Sequence, residues 1–149
     1  MHQVGLVHRD LKLLNIFMSD NAERPRVKIG DLGLAAYLKP EEYIIKRAGT
    51  SAFMAPEVMT LEPSNFKSDI WSLGIILYTM VCTHLPFPSK YYKEDREKKM
   101  LKLEIMYTDV AFESVDSSCI HLIRGMLEKD LNNRMSIEEV LMHPWLSSA

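Results

Sequence analysis

His8-Arg9-Asp10-Leu11-Lys12-Leu13-Leu14-Asn15 is followed, sixteen residues after its asparagine, by Asp31-Leu32-Gly33. The two runs supply a base, a cation and two oxygen donors in one short stretch. Asp10 is the candidate base, because a carboxylate near a cation and an amide can accept or orient the proton of an incoming hydroxyl. Lys12, two residues on, can neutralise charge that develops on a transferring phosphate. Asn15 offers an amide oxygen and Asp31 a carboxylate, both hard ligands suited to Mg²⁺. Phosphoryl transfer from a nucleotide needs that set. His8 is of a type more often packed and hydrogen-bonded than catalytic, and a surface ion pair is the lesser of two readings of Arg9.

The rest of the composition bounds the answer. A chain of 149 residues, 47% hydrophobic and 26% charged, suits one soluble globular domain or a piece of a larger one. A formal net charge of −2 gives no electrostatic case for nucleic acid or an anionic membrane as partner. Cys82 and Cys119 stand far apart without ligand spacing, which points to reduced thiols in a cytosolic or nuclear compartment. The first residues lack the basic and apolar regions of a signal peptide. The longest apolar stretch, Ile70 to Cys82, falls short of the roughly 20 residues a bilayer span needs. A soluble intracellular protein, cytoplasmic or nuclear, is the expectation.

Along the chain, Ile16-Phe17-Met18 and Val27-Lys28-Ile29 read as strands around a polar turn from Ser19 to Pro25. Helical patterning then takes over. Ala55-Pro56-Glu57 opens a short helix with proline in its first turn. Phe66 to Cys82 is apolar nearly all round, the mark of a central helix. Ser89 to Ile105 reads as a lysine- and glutamate-rich amphipathic helix, and Ser117 to Leu127 as another with Ile120, Ile123, Met126 and Leu127 at helical spacing. Ser136 and Glu139 form a capping box before a last helix that ends at His143-Pro144. Trp71, Trp145 and the methionines are expected in the core. No linker divides the chain, so one unit is expected, mainly α with a few short strands.

These runs together carry a resemblance. The spacing H-R-D-L-x-x-x-N matches the catalytic loop of eukaryotic protein kinases. The chain resembles the C-terminal lobe of a eukaryotic Ser/Thr protein kinase, a helical bundle with short β-strands at the catalytic and metal-binding loops. Asp31-Leu32-Gly33 stands where the family has Asp-Phe-Gly, followed by Gly49 to Met54, Ala55-Pro56-Glu57, Ser68-Asp69-Ile70-Trp71-Ser72-Leu73-Gly74, Leu85-Pro86-Phe87, Arg134 and His143-Pro144-Trp145. The resemblance implies that Asp10 is the catalytic aspartate and Lys12 the phosphate-contacting lysine. Asn15 and Asp31 become the Mg²⁺ ligands, ATP the cofactor, and proteins with Ser or Thr acceptors the substrates. Thr50 resembles the threonine that bonds the catalytic aspartate and lysine. Glu57 and Arg134 are expected as a buried ion pair, Asp69 as an anchor of the catalytic-loop backbone, and His8 and Arg9 as structural. Trp71 to Tyr78 and the His-Pro-Trp ending are similar to calcium/calmodulin-dependent-type kinases. Lys12-Leu13-Leu14-Asn15 is closer to polo-like kinases, and Gly30 to Ala35 to the with-no-lysine group.

Departures from the pattern matter too. Leu32 replaces Phe and is expected to keep its packing role. Lys46 stands four residues before Thr50, where many kinases carry a phosphorylatable residue, so control by a phosphate there has no support, while Tyr43, Thr50 and Ser51 stay open as sites. Leu14 precedes Asn15 where kinases that favour basic substrates often carry Glu. No Gly-rich loop, strand lysine, partner glutamate or hinge occurs in the 149 residues. The expectation is a kinase domain's C-terminal lobe over residues 1–149 without its N-terminal lobe, inactive alone. The alternative is a non-catalytic module that binds substrates or regulators.

Overall fold

The computed structural model describes residues 1–19, 25–87, 105 and 110–147. Short strands occupy the first third and helices the remainder. β1 (Leu6–Val7) pairs antiparallel with β4 (Ala36–Tyr37). β2 (Ile16–Met18) pairs antiparallel with β3 (Val27–Ile29), with Ile16 opposite Ile29 and Met18 opposite Val27. Both strands expected from sequence are therefore present. The turn between them is expected over Ser19 to Pro25; its residues 20–24 lie outside the described residues. Its ends are pinned, since Ser19 N–H donates to the Arg26 carbonyl and Arg26 N–H to Ser19 Oγ, both at 2.9 Å.

α1 (Pro56–Thr60) starts with proline at its first position, where a missing N–H costs nothing. α2 (Lys67–Cys82) is the central helix. Residues from Ser68 to Cys82 are buried on several sides of it, and Trp71 and Ile75 are fully enclosed. α2 stops at Thr83, whose left-handed φ of 62° lets its N–H reach the Thr79 carbonyl. α3 (Ser117–Met126) packs against α2. Gly74 makes this approach possible: a Cβ there would lie 2.8 Å from Leu127 Cδ2 and 2.9 Å from Met126 Cβ. One core cluster gathers Met54, Met59, Trp71, Ile75, Phe87 and Ile123 around α2. A second joins Ile70, Leu122, Met126 and Val140.

The expected helix from Ser89 to Ile105 lies, apart from Ile105, outside the described residues. Among the described residues no helix is long and apolar enough to cross a membrane. Methionine was a poor guide to the core. Met54, Met59 and Met126 are buried, but Met18, Met80 and Met142 are more than half exposed. Met18 lies on the β2–β3 ribbon, where every strand residue but Ile16 is exposed, and a flexible unbranched side chain tolerates that position. Trp145 is half-buried, at the edge of both clusters.

α4 (Ile137–Leu141) and α5 (Pro144–Ser147) close the chain. The capping box is formed: Glu139 N–H donates to Ser136 Oγ at 3.3 Å, and Ser136 N–H to the Glu139 carboxylate at 2.7 Å. Ser136→Ala should cost about 1 kcal/mol in urea unfolding, and Ser136→Gly only a few tenths. Equal losses for the two would show that the hydroxyl is not acting as a cap.

Candidate active site

The start of α2 holds the loop that carries the candidate base. Asp69 lies in the first turn of that helix, where the helix dipole favours a carboxylate. Its Oδ2 accepts from His8 N–H at 2.8 Å and its Oδ1 from Arg9 N–H at 2.9 Å. Arg9 has a left-handed φ of 70°, a bend that these two bonds hold in place. A third contact comes from His2, whose Nε2 lies 2.9 Å from Asp69 Oδ2 and whose ring packs 5.2 Å from that of Phe66. His2 was missed in the sequence, where no motif or spacing marks it.

His8 is fully buried. Its Nε2 lies 3.0 Å from the Gly30 carbonyl and its Nδ1 accepts from Asp10 N–H at 3.2 Å. These partners put its proton on Nε2, so one ring spans the loop and the segment leading to Asp31. Asp10 sits beyond it, 8% exposed. Thr50 N–H donates to Asp10 Oδ1 at 2.7 Å, and Lys12 Nζ to Oδ2 at 2.7 Å. Lys12 Nζ also donates to Thr50 Oγ1 at 3.1 Å. Burial pushes the Asp10 carboxyl up, but the bonds from Lys12 and Thr50 and the charge of Lys12 outweigh it and hold the group below its ordinary value. Gly49 lets the chain approach: its φ is +102°, and a Cβ there would run into the Arg9 carbonyl oxygen.

Asn15 is buried and donates through Nδ2 to the Asp10 carbonyl at 2.9 Å. That leaves its amide oxygen as the atom able to ligate a cation. Gly30 N–H donates to the Asn15 carbonyl at 2.9 Å, next to the Ile16–Ile29 pair, so Asn15 and Asp31 flank one end of the β2–β3 ribbon. Asp31 is exposed, with a left-handed φ of 60°, and among the described residues accepts one long 3.4 Å bond, from Gly33 N–H. A buried amide oxygen and an uncommitted carboxylate fit Mg²⁺, which takes few protein oxygens and fills its octahedron with water and phosphate. Leu32 does not keep the packing role expected of it; it is 52% exposed. Leu14, Phe17 and Ile29 nearby are exposed as well, so nothing described covers this apolar edge.

The remaining expected residues fall into two places. Arg9 donates to the Leu34 carbonyl at 3.4 Å and to the Lys46 carbonyl at 3.2 Å. It thus ties both ends of the segment between Asp31 and Thr50 to the loop. Glu57 and Arg134 form the bidentate pair, both bonds 2.8 Å. The other Arg134 donors reach the carbonyls of Glu128 at 2.8 Å, Lys67 at 3.1 Å and Lys129 at 3.4 Å, so all five are used. Its guanidinium also lies 5.1 Å from the Trp71 ring centre. Ser68 Oγ donates to Glu57 at 2.7 Å, a contact the sequence reading missed. Burial raises the Glu57 carboxyl, and Arg134 together with Ser68 brings it below its ordinary value.

An aspartate whose two oxygens are held by a lysine and a threonine backbone, with an amide and a carboxylate at one end of the neighbouring ribbon, is the set of groups that phosphoryl transfer uses. The chain matches the protein kinase domain over residues 1–146 and belongs to that family. It is 35% identical over 147 residues to calcium-dependent protein kinase 27 of Arabidopsis thaliana, covering 97% of this chain and 30% of that protein. It is 36% identical over 148 residues to serine/threonine-protein kinase PLK4 of Drosophila willistoni, covering 99% and 18%. Serine/threonine-protein kinase 17A of Oryctolagus cuniculus is 30% identical over 149 residues, covering 100% and 37%. The chain thus spans between about a fifth and just over a third of the length of these relatives.

Proposed function

We propose that residues 1–149 form the C-terminal lobe of a Ser/Thr protein kinase domain, whose reaction moves the γ-phosphoryl group of ATP to a protein Ser or Thr hydroxyl. The observation that carries this is the Asp10–Lys12–Thr50 cluster. An ionised carboxylate is an acceptor only, and Asp10 is kept in that form, so it orients the incoming hydroxyl and takes its proton. The new oxygen–phosphorus bond forms as the bond to the ADP oxygen breaks. Lys12 lies against Asp10 and balances negative charge on the moving group. Thr50 fixes Asp10 and Lys12 relative to each other. Asn15 and Asp31 would hold Mg²⁺, which when bound neutralises charge on the phosphate oxygens. His8, Arg9 and Asp69 position the loop, and Glu57 with Arg134 anchors the segment that carries Thr50.

The test is a chimera in which the nucleotide-binding lobe of a calcium-dependent protein kinase precedes these residues. Labelled Mg-ATP and a protein with Ser, Thr and Tyr acceptors are supplied. Transfer to Ser and Thr is expected. A folded chimera that binds Mg-ATP yet transfers nothing would sink the catalytic reading. The 149-residue polypeptide by itself is expected to bind Mg-ATP only weakly in calorimetry, because Lys12, Asn15 and Asp31 would meet the nucleotide at its phosphates alone. Micromolar affinity would contradict that.

A further inference from the structure

The Asp69 carboxylate is 2% exposed, so its place is set by the groups that donate to it. Two of them are the adjacent backbone N–H groups of His8 and Arg9. Both belong to one bend, and a carboxylate gripped only by one short stretch can still rotate about its last torsion. The third contact comes from elsewhere in the chain. His2 Nε2 lies 2.9 Å from Asp69 Oδ2. Both carboxylate oxygens already accept N–H bonds, so the group has no proton to give and His2 is the donor.

His2 is itself held from two sides. It opens a single 3₁₀ turn, His2–Val4, that ends at Gly5 with φ of 75°. Gly5 N–H donates back to the His2 carbonyl at 2.9 Å, and Leu38 N–H, next to β4, donates to the Gly5 carbonyl at 2.8 Å. A Cβ on Gly5 would lie 2.9 Å from the Leu38 oxygen, so this approach needs glycine. On the other side the His2 ring packs 5.2 Å from that of Phe66, the residue before α2. Only 14% of the side chain is exposed. The β1–β4 ribbon and the start of α2 thus aim one N–H at Asp69 from outside the loop.

We propose that His2 is a positioning residue for phosphoryl transfer, its ring N–H fixing the Asp69 carboxylate that in turn fixes the backbone leading into Asp10. The left-handed φ of 70° at Arg9 is disfavoured for an L-residue and is held by the bonds from His8 and Arg9 to Asp69. Asp10 follows that bend directly, so play at Asp69 becomes play in the direction of the Asp10 carboxylate. A base that wanders is a slower base, since the proton it takes must lie within hydrogen-bond reach. The role rests on the reaction proposed above, because it acts through Asp10. The competing reading is that the His2 ring only fills space beside Phe66. Two substitutions separate these. His2→Gln keeps an N–H donor near the Nε2 position and loses the ring, while His2→Phe keeps a ring and loses the donor.

The experiment has two arms. In the 149-residue chain, amide hydrogen exchange is followed by NMR at His8 and Arg9, with Leu127 N–H, bonded to Ile123 on α3, as the reference. His2→Phe should speed exchange at His8 and Arg9 about tenfold, the loss of one bond to a charged group, and leave Leu127 unchanged. His2→Gln should recover most of that protection. Equal effects of the two substitutions, no effect of His2→Phe, or equal acceleration at Leu127 would each overturn the proposal. In the chimera with a nucleotide-binding lobe, kcat should fall about tenfold for His2→Phe, with KM for Mg-ATP little changed, and recover in His2→Gln. Exchange that responds while kcat does not would show that the bond holds the loop without serving Asp10, which also overturns it. A chimera that transfers nothing even with His2 in place counts against the kinase reading alone, and the exchange arm still decides whether His2 holds the loop. Nitrogen NMR of the His2 ring must find a proton on Nε2; a ring protonated on Nδ1 only would remove the donor and the proposal with it.

Discussion

Asp10→Asn is expected to lower phosphoryl transfer by about 10²–10⁴-fold, the usual contribution of a positioned base. The substitution keeps the size of the side chain but not its bonding. Both partners of the Asp10 oxygens are donors, the Thr50 N–H and the Lys12 ammonium. An amide has one acceptor oxygen to offer them, so either Lys12 or Thr50 is left facing an NH₂ group. The variant therefore loses the proposed base and also loosens the lysine bonded to it. Thr50→Val should cost much less, since it removes the 3.1 Å bond from Lys12 and the hydroxyl's pull on the Asp10 carboxyl but leaves the backbone bond to Asp10. The pH profile separates these effects. Asp10 is held below its ordinary value of 3.8, so its working form is present above that value and is lost only as pH falls further. An acid limb near neutrality in the chimera, removed by Asp10→Asn, would mean that Asp10 is not held as the structure has it.

Much of the fold could be read in the sequence, where it depends on local pattern. The β2 and β3 strands, proline at the start of α1, the enclosed α2 and the capping box of α4 all follow from spacing and residue type within a few positions. The β1–β4 pair could not be foreseen, because two-residue strands have no period and are made by what they meet. The same division holds in the site. Asp10, Lys12 and Asn15 are legible because the chemistry is packed into eight residues. Thr50 and Arg134 became candidates only through the family resemblance, since nothing local says that Thr50 reaches back forty positions to Asp10. His2 and Ser68 had no such guide. Each is a polar residue beside an apolar run, and only the completed fold shows that it faces a buried carboxylate. Leu32 fails for the opposite reason: an apolar residue at a motif position was assigned a packing role, and among the described residues it is half exposed.

Arg134→Met should destabilise the chain by about 3–5 kcal/mol, as expected when one partner of a buried ion pair is removed. The attraction between the charges is only part of the reason, since desolvation offsets much of it. The larger part is what remains. Glu57 is 4% exposed and would keep its charge with only Ser68 as a side-chain donor, while the carbonyls of Glu128, Lys67 and Lys129 would lose theirs. Glu57→Leu with Arg134→Met removes the stranded carboxylate but not the orphaned carbonyls, so the double variant should recover part of the loss. Full recovery would show that the carbonyl bonds contribute nothing, and no recovery would show that the stranded charge was never the cost. The acid side supplies the second measurement. Glu57 has its carboxyl held below the ordinary 4.5, so its contribution is complete above that value and is lost as pH falls through the folded-state value. Glu57→Gln should therefore lie below the unaltered chain at pH 7 and approach it under acid, because the protonated acid and the amide then make similar bonds to Arg134. Curves that stay apart to the lowest pH at which the chain is folded would mean that Glu57 stabilises the segment carrying Thr50 by its shape, and not by its charge.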